Sequence, residues 1–180
     1  TGSVSDAVTW IDKSSETNNG TLINNAFVDA NGLNLNNTTS DYVTLGTAID
    51  DLIQPGSYTF EMWIYPFDDF NSLASGTTRE QTFLSKTSSS SVEGGFAWKI
   101  DTDTDRIQIA GWDNSGALAF NTFGTNTVWA ANTWYHIAVV YNGTGYTHYL
   151  DGVSDGYTAD ADSFGSTDQV YRIGTNSTPG

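Results

Sequence analysis

The chain has 180 residues, enough for one domain with a full interior and short for two. It carries 21 acidic against six basic side chains, a formal charge of −15. Phosphate-rich partners are therefore repelled, which excludes nucleic acid and disfavours anionic membrane surfaces. With no cysteine there is no disulfide framework, no thiolate metal site and no thiol nucleophile, and no apolar run approaches the length of a bilayer span.

Thr, Ser, Asn and Gly together make 76 of the 180 residues, a mix poor in helix formers and rich in turn chemistry. An all-β architecture with many reversals is the expectation. Seventeen of the acids are Asp, a residue at home in turns, and solubility plus loop capping accounts for them. Calcium is the alternative, since hard cations need several oxygen ligands. Because the chain opens on Thr1, it is expected to be a processed or partial polypeptide, with residues 1–180 as one domain and 175–180 as a tail or linker.

In chain order, Val8 to Asp12 is a strand candidate, followed by Gly20-Thr21-Leu22-Ile23, Leu33-Asn34-Leu35 and Tyr42-Val43-Thr44-Leu45. Ile49 to Ile53 could form one helical turn before Pro55-Gly56. Ser57 to Tyr65 alternates, with Tyr58, Phe60, Met62 and Ile64 on one side and Thr59, Glu61, Trp63 and Tyr65 on the other. Pro66 ends that strand because it cannot donate to a ladder. Strands are then expected at Thr82–Lys86, Gly95–Ile100, Arg106–Gly111, Ala117–Phe120 and Thr127–Trp129. Thr133–Tyr141 and Tyr146–Leu150 form an antiparallel hairpin around Asn142-Gly143-Thr144-Gly145, closed by a second turn at Asp151-Gly152. Gln169 to Gly174 is the last strand.

Trp134-Tyr135-His136-Ile137-Ala138-Val139-Val140-Tyr141, with Tyr149-Leu150-Asp151-Gly152, resembles the signature hairpin of laminin-G-like, concanavalin-A-like jelly rolls. Trp10, Asp12, Asn18 to Leu22, and Asp41-Tyr42-Val43 with Gly46 are similar to the opening of such domains in tailed-phage structural proteins and bacterial surface proteins. Thr59 to Pro66, Leu84-Ser85-Lys86 and Ile173-Gly174 fall where further family landmarks stand. The resemblance implies an antiparallel β-sandwich jelly roll over about Trp10 to Gly174. It also implies one departure: the family continues past Ile-Gly into a closing strand, which here is missing or donated by a neighbouring chain. An open edge is then expected near Val8 to Asp12 and Leu22.

A glycosidase of this class would carry paired catalytic carboxylates. The only Glu residues are Glu16, Glu61, Glu80 and Glu93; Glu16 has Asp12 four positions before it, but none has an acid two positions away, so no Glu-x-Asp-x-Glu run is present, and Asp68 and Asp69 adjoin each other in a loop. His136 and His148 could face one another across the hairpin, but no nucleophile turn accompanies them. The candidate metal ligands are Asp101, Asp103 and Asp105, with Asp113, Asn114 and Asp151 secondary; the alternative is a solvated acidic hairpin tip. An EF-hand is ruled out because Arg106 stands where Gly is needed and Trp112 where a bidentate Glu is needed.

Sugar rings stack on aromatic faces while polar side chains read their hydroxyls. The ligand-binding candidates are Trp112 with Asp113 and Asn114, then Trp129 and Tyr157; Trp63, Trp98 and Trp134 are assigned to the core. The expected function is therefore non-catalytic, with no cofactor required and calcium as the candidate ion. The chain is read as a recognition or structural module on the outside of a larger assembly, first a phage virion decoration, fibre or tail-associated domain. A carbohydrate-binding or adhesion domain of a secreted bacterial protein is the alternative, and a glycoside hydrolase the third. Its partners would be neighbouring chains or further domains, or a surface glycan.

Overall fold

The computed structural model describes residues 9–16, 18–36, 40–46, 56–67, 81–87, 94–166 and 168–175. The helical turn expected at Ile49–Ile53 lies outside these residues. Every regular element among them is a strand: β1 (Thr9–Trp10), β2 (Gly20–Ile23), β3 (Phe27–Asp29), β4 (Gly32–Asn34) and β5 (Tyr42–Gly46). The middle of the chain gives β6 (Tyr58–Ile64), β7 (Gln81–Ser85), β8 (Phe96–Asp101), β9 (Arg106–Trp112) and β10 (Leu118–Phe123). Last come β11 (Tyr135–Tyr141), β12 (Gly145–Leu150), β13 (Val153–Ala159) and β14 (Tyr171–Ile173).

A wide sheet takes the order β1-β2-β5-β14-β7-β8-β9-β10 and a narrow one the order β13-β12-β11-β6. A separate β3-β4 hairpin completes the described elements. All pairings are antiparallel. The chain leaves the wide sheet for β6, returns for β7 to β10, builds β11 to β13, and finally inserts β14 between β5 and β7. That is the expected β-sandwich jelly roll.

Alternation explains why the sheets stack. Registered neighbours place Leu22, Val43, Ile173, Leu84, Trp98, Ile109 and Thr122 in one row across seven strands of the wide sheet. Opposite them, Tyr58 and Phe60 of β6 and Ile137, Val139 and Tyr141 of β11 point inward and are buried. Phe60 stacks on Phe96 with centroids 5.0 Å apart, and Phe120 stacks on Tyr146 at 4.4 Å. Each buried aromatic contributes roughly 1.5–3 kcal/mol of transfer free energy, with up to about 1.5 kcal/mol more from ring pairing.

The hairpin forms as its turn residues dictate. Asn142 Oδ1 accepts the N–H of Thr144 and of Gly145, each at 3.0 Å. Asp151 and Gly152 take φ values of 50° and 78°, so the second reversal uses a left-handed pair that Gly tolerates without cost. Two expectations are corrected, and one strand appears that the sequence reading did not place. Thr127–Trp129 is not a strand, because Trp129 turns into the interior. Val153–Ala159 is one despite its Ser, Asp and Gly, because β12 offers it a full ladder. Leu22 does not stand at an edge: β2 is flanked by β1 and β5, and the two-residue β1 is the outer strand there.

The two histidines face opposite ways. His136 pairs with Trp63 and points outward, whereas His148 pairs with Val139 and points into the interior. There His148 Nε2 lies 2.9 Å from Thr122 Oγ1 of the wide sheet. Burial pushes its pKa down to about 4, Asp155 opposing and Arg106 adding to the shift. The unfolded chain therefore binds the extra proton between pH 6.5 and 4, and stability must fall as the solution is acidified. Denaturant titrations should show a loss on the order of 3 kcal/mol across that window, and His148→Gln should flatten the slope.

A second outcome concerns Gly111, where an added Cβ would meet Phe120 Cε1 at 2.3 Å. Gly111→Ala should cost about 1–3 kcal/mol in equilibrium unfolding through overpacking.

Candidate functional site

The outward face of the narrow sheet follows from its register. One row across the strands is Tyr157, Thr147, Val140 and Thr59. The next, past the irregularity after His148, is Ser154, Tyr149, Ala138 and Glu61. Beyond it His136 lies beside Trp63, with ring centroids 5.2 Å apart, and Trp134 beside Tyr65 at 5.1 Å. Rows are separated by about 7 Å along the strands and neighbours within a row by about 4.8 Å. The face is thus set with aromatic rings between short side chains.

Its polar groups are held in place. Asp151 Oδ1 accepts the backbone N–H of His136 at 2.9 Å, which fixes the turn beside that ring. Glu61 Oε2 lies 3.6 Å from His136 Nε2. Tyr157 is 57 % exposed, and its hydroxyl would be only 2.5 Å from a Cβ placed on Gly145. The absent side chain at Gly145 therefore leaves a shelf on which the Tyr157 ring lies, one side against the sheet and the rest open.

The sequence reading assigned Trp63 and Trp134 to the core, and that assignment is corrected. They are 62 % and 48 % exposed, whereas Trp98 is fully buried as expected. For Trp63 the signal was available: in the alternation of β6 it shares a side with Glu61, which no apolar interior would accept unpaired.

Of the binding candidates, Trp129 is also corrected. Its indole is completely buried, donates Nε1–H to Asp105 O at 2.7 Å and meets the Tyr135 ring edge-on at 5.1 Å. No ring face is left for a sugar. Trp112 is the last residue of β9 and not part of the following turn, half-buried on the outward face of the wide sheet. Its N–H donates to Gly95 O at 3.0 Å and its carbonyl accepts from Gly165 N–H at 2.8 Å.

Asp113 Oδ1 accepts from Ser115 N–H, Ser115 Oγ–H and Ala117 N–H at 2.8, 2.6 and 3.0 Å. These bonds, the Ser115 hydroxyl first, hold its pKa below the usual carboxylate range. Asn114 is exposed, with its Oδ1 against Gly165. Trp112, Asp113 and Asn114 thus stand together on the opposite side of the sandwich from Tyr157.

The acidic hairpin tip is organised by local bonds. Thr104 Oγ1–H donates to Asp101 Oδ2 at 2.6 Å, and Asp105 N–H donates to Asp101 O at 2.8 Å with Asp105 at φ 55°. Asp103 is exposed. Among the described residues, no three His or acidic side chains, Asp101, Asp103 and Asp105 included, come together as a group able to hold a metal. Glu16 and Glu61 are both exposed. Glu80, Glu93, Asp68 and Asp69 lie outside the described residues.

No curated protein matches the sequence. Solved structures share the architecture. A mutant of a protein designated HCR/D aligns with TM-score 0.66 and 11 % identity, over 91 % of this chain and 40 % of its own. The Botulinum neurotoxin serotype D binding domain gives 0.63 and 12 %, over 94 % and 41 %. Domain 4 of an extracellular GH43 arabinanase from Geobacillus stearothermophilus, solved with arabinotriose, gives 0.61 and 15 %, over 96 % and 84 %. This chain therefore spans about two fifths of the first two. The family model described as concanavalin A-like lectin/glucanases matches residues 37–180, so the chain belongs to the concanavalin A-like lectin/glucanase superfamily.

Proposed function

We propose that the chain is a non-catalytic glycan-recognition module carried on the exterior of a larger assembly. The observation behind this reading is the outward face of the narrow sheet, where Tyr157, Tyr149, Trp63 and Trp134 are interleaved with Ser154, Thr147, Glu61 and His136. Rings of this kind stack on the apolar faces of sugars while hydroxyl, carboxylate and imidazole groups bond to sugar hydroxyls. An open sheet face suits a polymer lying across it better than a small molecule needing enclosure. The arabinanase domain of the same architecture was solved with arabinotriose, which supports the same class of ligand.

The charge of −15 favours neutral or cationic glycans over acidic ones. The setting proposed first is the outside of a phage particle, as a decoration, fibre or tail-associated domain. A secreted bacterial adhesin or an appended binding domain is the alternative setting. A module that is ligand-silent alone but ordered within a symmetric particle would favour a purely structural role.

A glycan array should give a signal that falls about fivefold or more with Tyr157→Ala or Tyr149→Ala, each stacked ring supplying on the order of 1 kcal/mol. Equal signals from these variants and the parent would remove the face from consideration. Calcium is not needed in this reading. Millimolar calcium should shift Tm by less than about 1 °C, because no binding means no linkage stabilisation. A shift of several degrees, lost on Asp101→Asn or Asp103→Asn, would restore the ion site at the β8–β9 turn.

A further inference from the structure

In the outward row Ser154, Tyr149, Ala138 and Glu61, the shortest side chain, Ala138, stands between the two longest. Although Ala138 alternates with the inward Ile137 and Val139 and so faces outward, it is only 5 % exposed. The larger groups around it overhang it and leave a dip whose floor is the Ala138 methyl. Tyr149 and Glu61 stand about 4.8 Å to either side across the strands, and His136 and Val140 about 7 Å to either end along β11.

The chemistry beside this dip suits a cation. Glu61 is 65 % exposed, and its Oε2 lies 3.6 Å from His136 Nε2, longer than a hydrogen bond. The carboxylate is therefore not committed to the imidazole. Trp63, two positions further along β6 and 62 % exposed, adds an indole on the same side. A carboxylate only accepts, so it reads donors, and an ammonium offers it three N–H groups together with the opposite charge. An indole face attracts the same charge. Asp151 flanks His136 on its other side, where Oδ1 accepts the His136 N–H. No Lys or Arg stands among the described residues of these outward rows, so an acidic sugar would meet carboxylates without a countercharge.

We propose that the dip over Ala138 is a subsite for an amino sugar, with its charged amine on Glu61 beside Trp63 and its body between Glu61 and Tyr149. The inference rests on the reading of this face as glycan-binding and narrows it to glycans that carry free amines. The charge of −15 draws such a polymer in, while Glu61 fixes where one amine is read. N-acetylation removes the charge and two of the three donors, so the acetylated sugar loses the contact that defines the subsite.

The test is calorimetry on the whole chain with a tetramer of β-1,4-linked glucosamine and with its fully N-acetylated counterpart. Neutral pH keeps much of the free amine charged, and about 150 mM salt screens charges more than about 8 Å away. The glucosamine tetramer should bind about fivefold tighter, the range of one exposed charge pair. Glu61→Gln, at an exposed position, should reduce that preference to less than about twofold. Ala138→Val should weaken binding of both tetramers, because its added methyl groups occupy the dip. A preference that survives Glu61→Gln would belong to the overall charge and overturn the proposal. So would a tetralysine peptide binding as tightly as the glucosamine tetramer, since it has the amines without the sugar. Equal binding of the two tetramers, or binding of neither alongside a ring-dependent array signal, would sink the amino-sugar subsite and leave glycan recognition standing. A silent array as well would remove both.

Discussion

The pairing of β6 with β11 is the constraint on which the rest depends. It runs in one unbroken register from Tyr58 opposite Tyr141 to Ile64 opposite Tyr135. Because side chains alternate along a strand, a slip of one residue would exchange Phe60 and Val139 for Glu61 and Ala138 on the inner side. The register therefore fixes at one stroke which rings make the interior and which make the outward face.

Polar atoms in the interior show how the sheets are keyed to one another. Thr122 of the wide sheet and His148 of the narrow one meet across the gap. Nearby, Asp155 of β13 accepts from Thr125 Oγ1–H and Asn126 N–H, each at 2.9 Å, tying the connection after β10 to the narrow sheet. A neutral imidazole is compatible with this environment and a charged one is not. Similar capping explains the landmark residues near the start of the chain. Asp12 accepts from Ser14 and Asn18, and the buried Asp41 accepts from the N–H groups of Asn25 and Asn36. Their recurrence in the resemblance thus has a physical meaning: each carboxylate holds a loop that has little apolar surface of its own.

The same logic separates the two groups of sequence candidates. At Asp113 and Asp101 the carboxylates are spent on their own turns, which is what an Asp-rich chain needs where it reverses direction. Tyr157 differs because its ring is supported by the bare backbone at Gly145 and has no bonding role in a turn. Surface that is rigid, aromatic and unspent on folding is what recognition requires.

Several features were legible in the sequence alone. Strand period, turn residues and the lack of helix formers gave the all-β class, and the family resemblance implied the sandwich. Asn142-Gly143 and Asp151-Gly152 gave the hairpin, and the alternation of Ser57 to Tyr65 gave the sides of β6. These are local properties, decided by backbone sterics and side-chain period within a few residues. What lay outside reach was anything that depends on which surfaces meet. Trp129 and Trp63 are both indoles near strand residues, yet one fills the space over Asp105 and the other looks outward, because only packing between distant strands assigns an inside. β13 forms because β12 stands beside it. Tertiary structure decided these, since burial and ladder pairing are relations between segments and no single segment carries them.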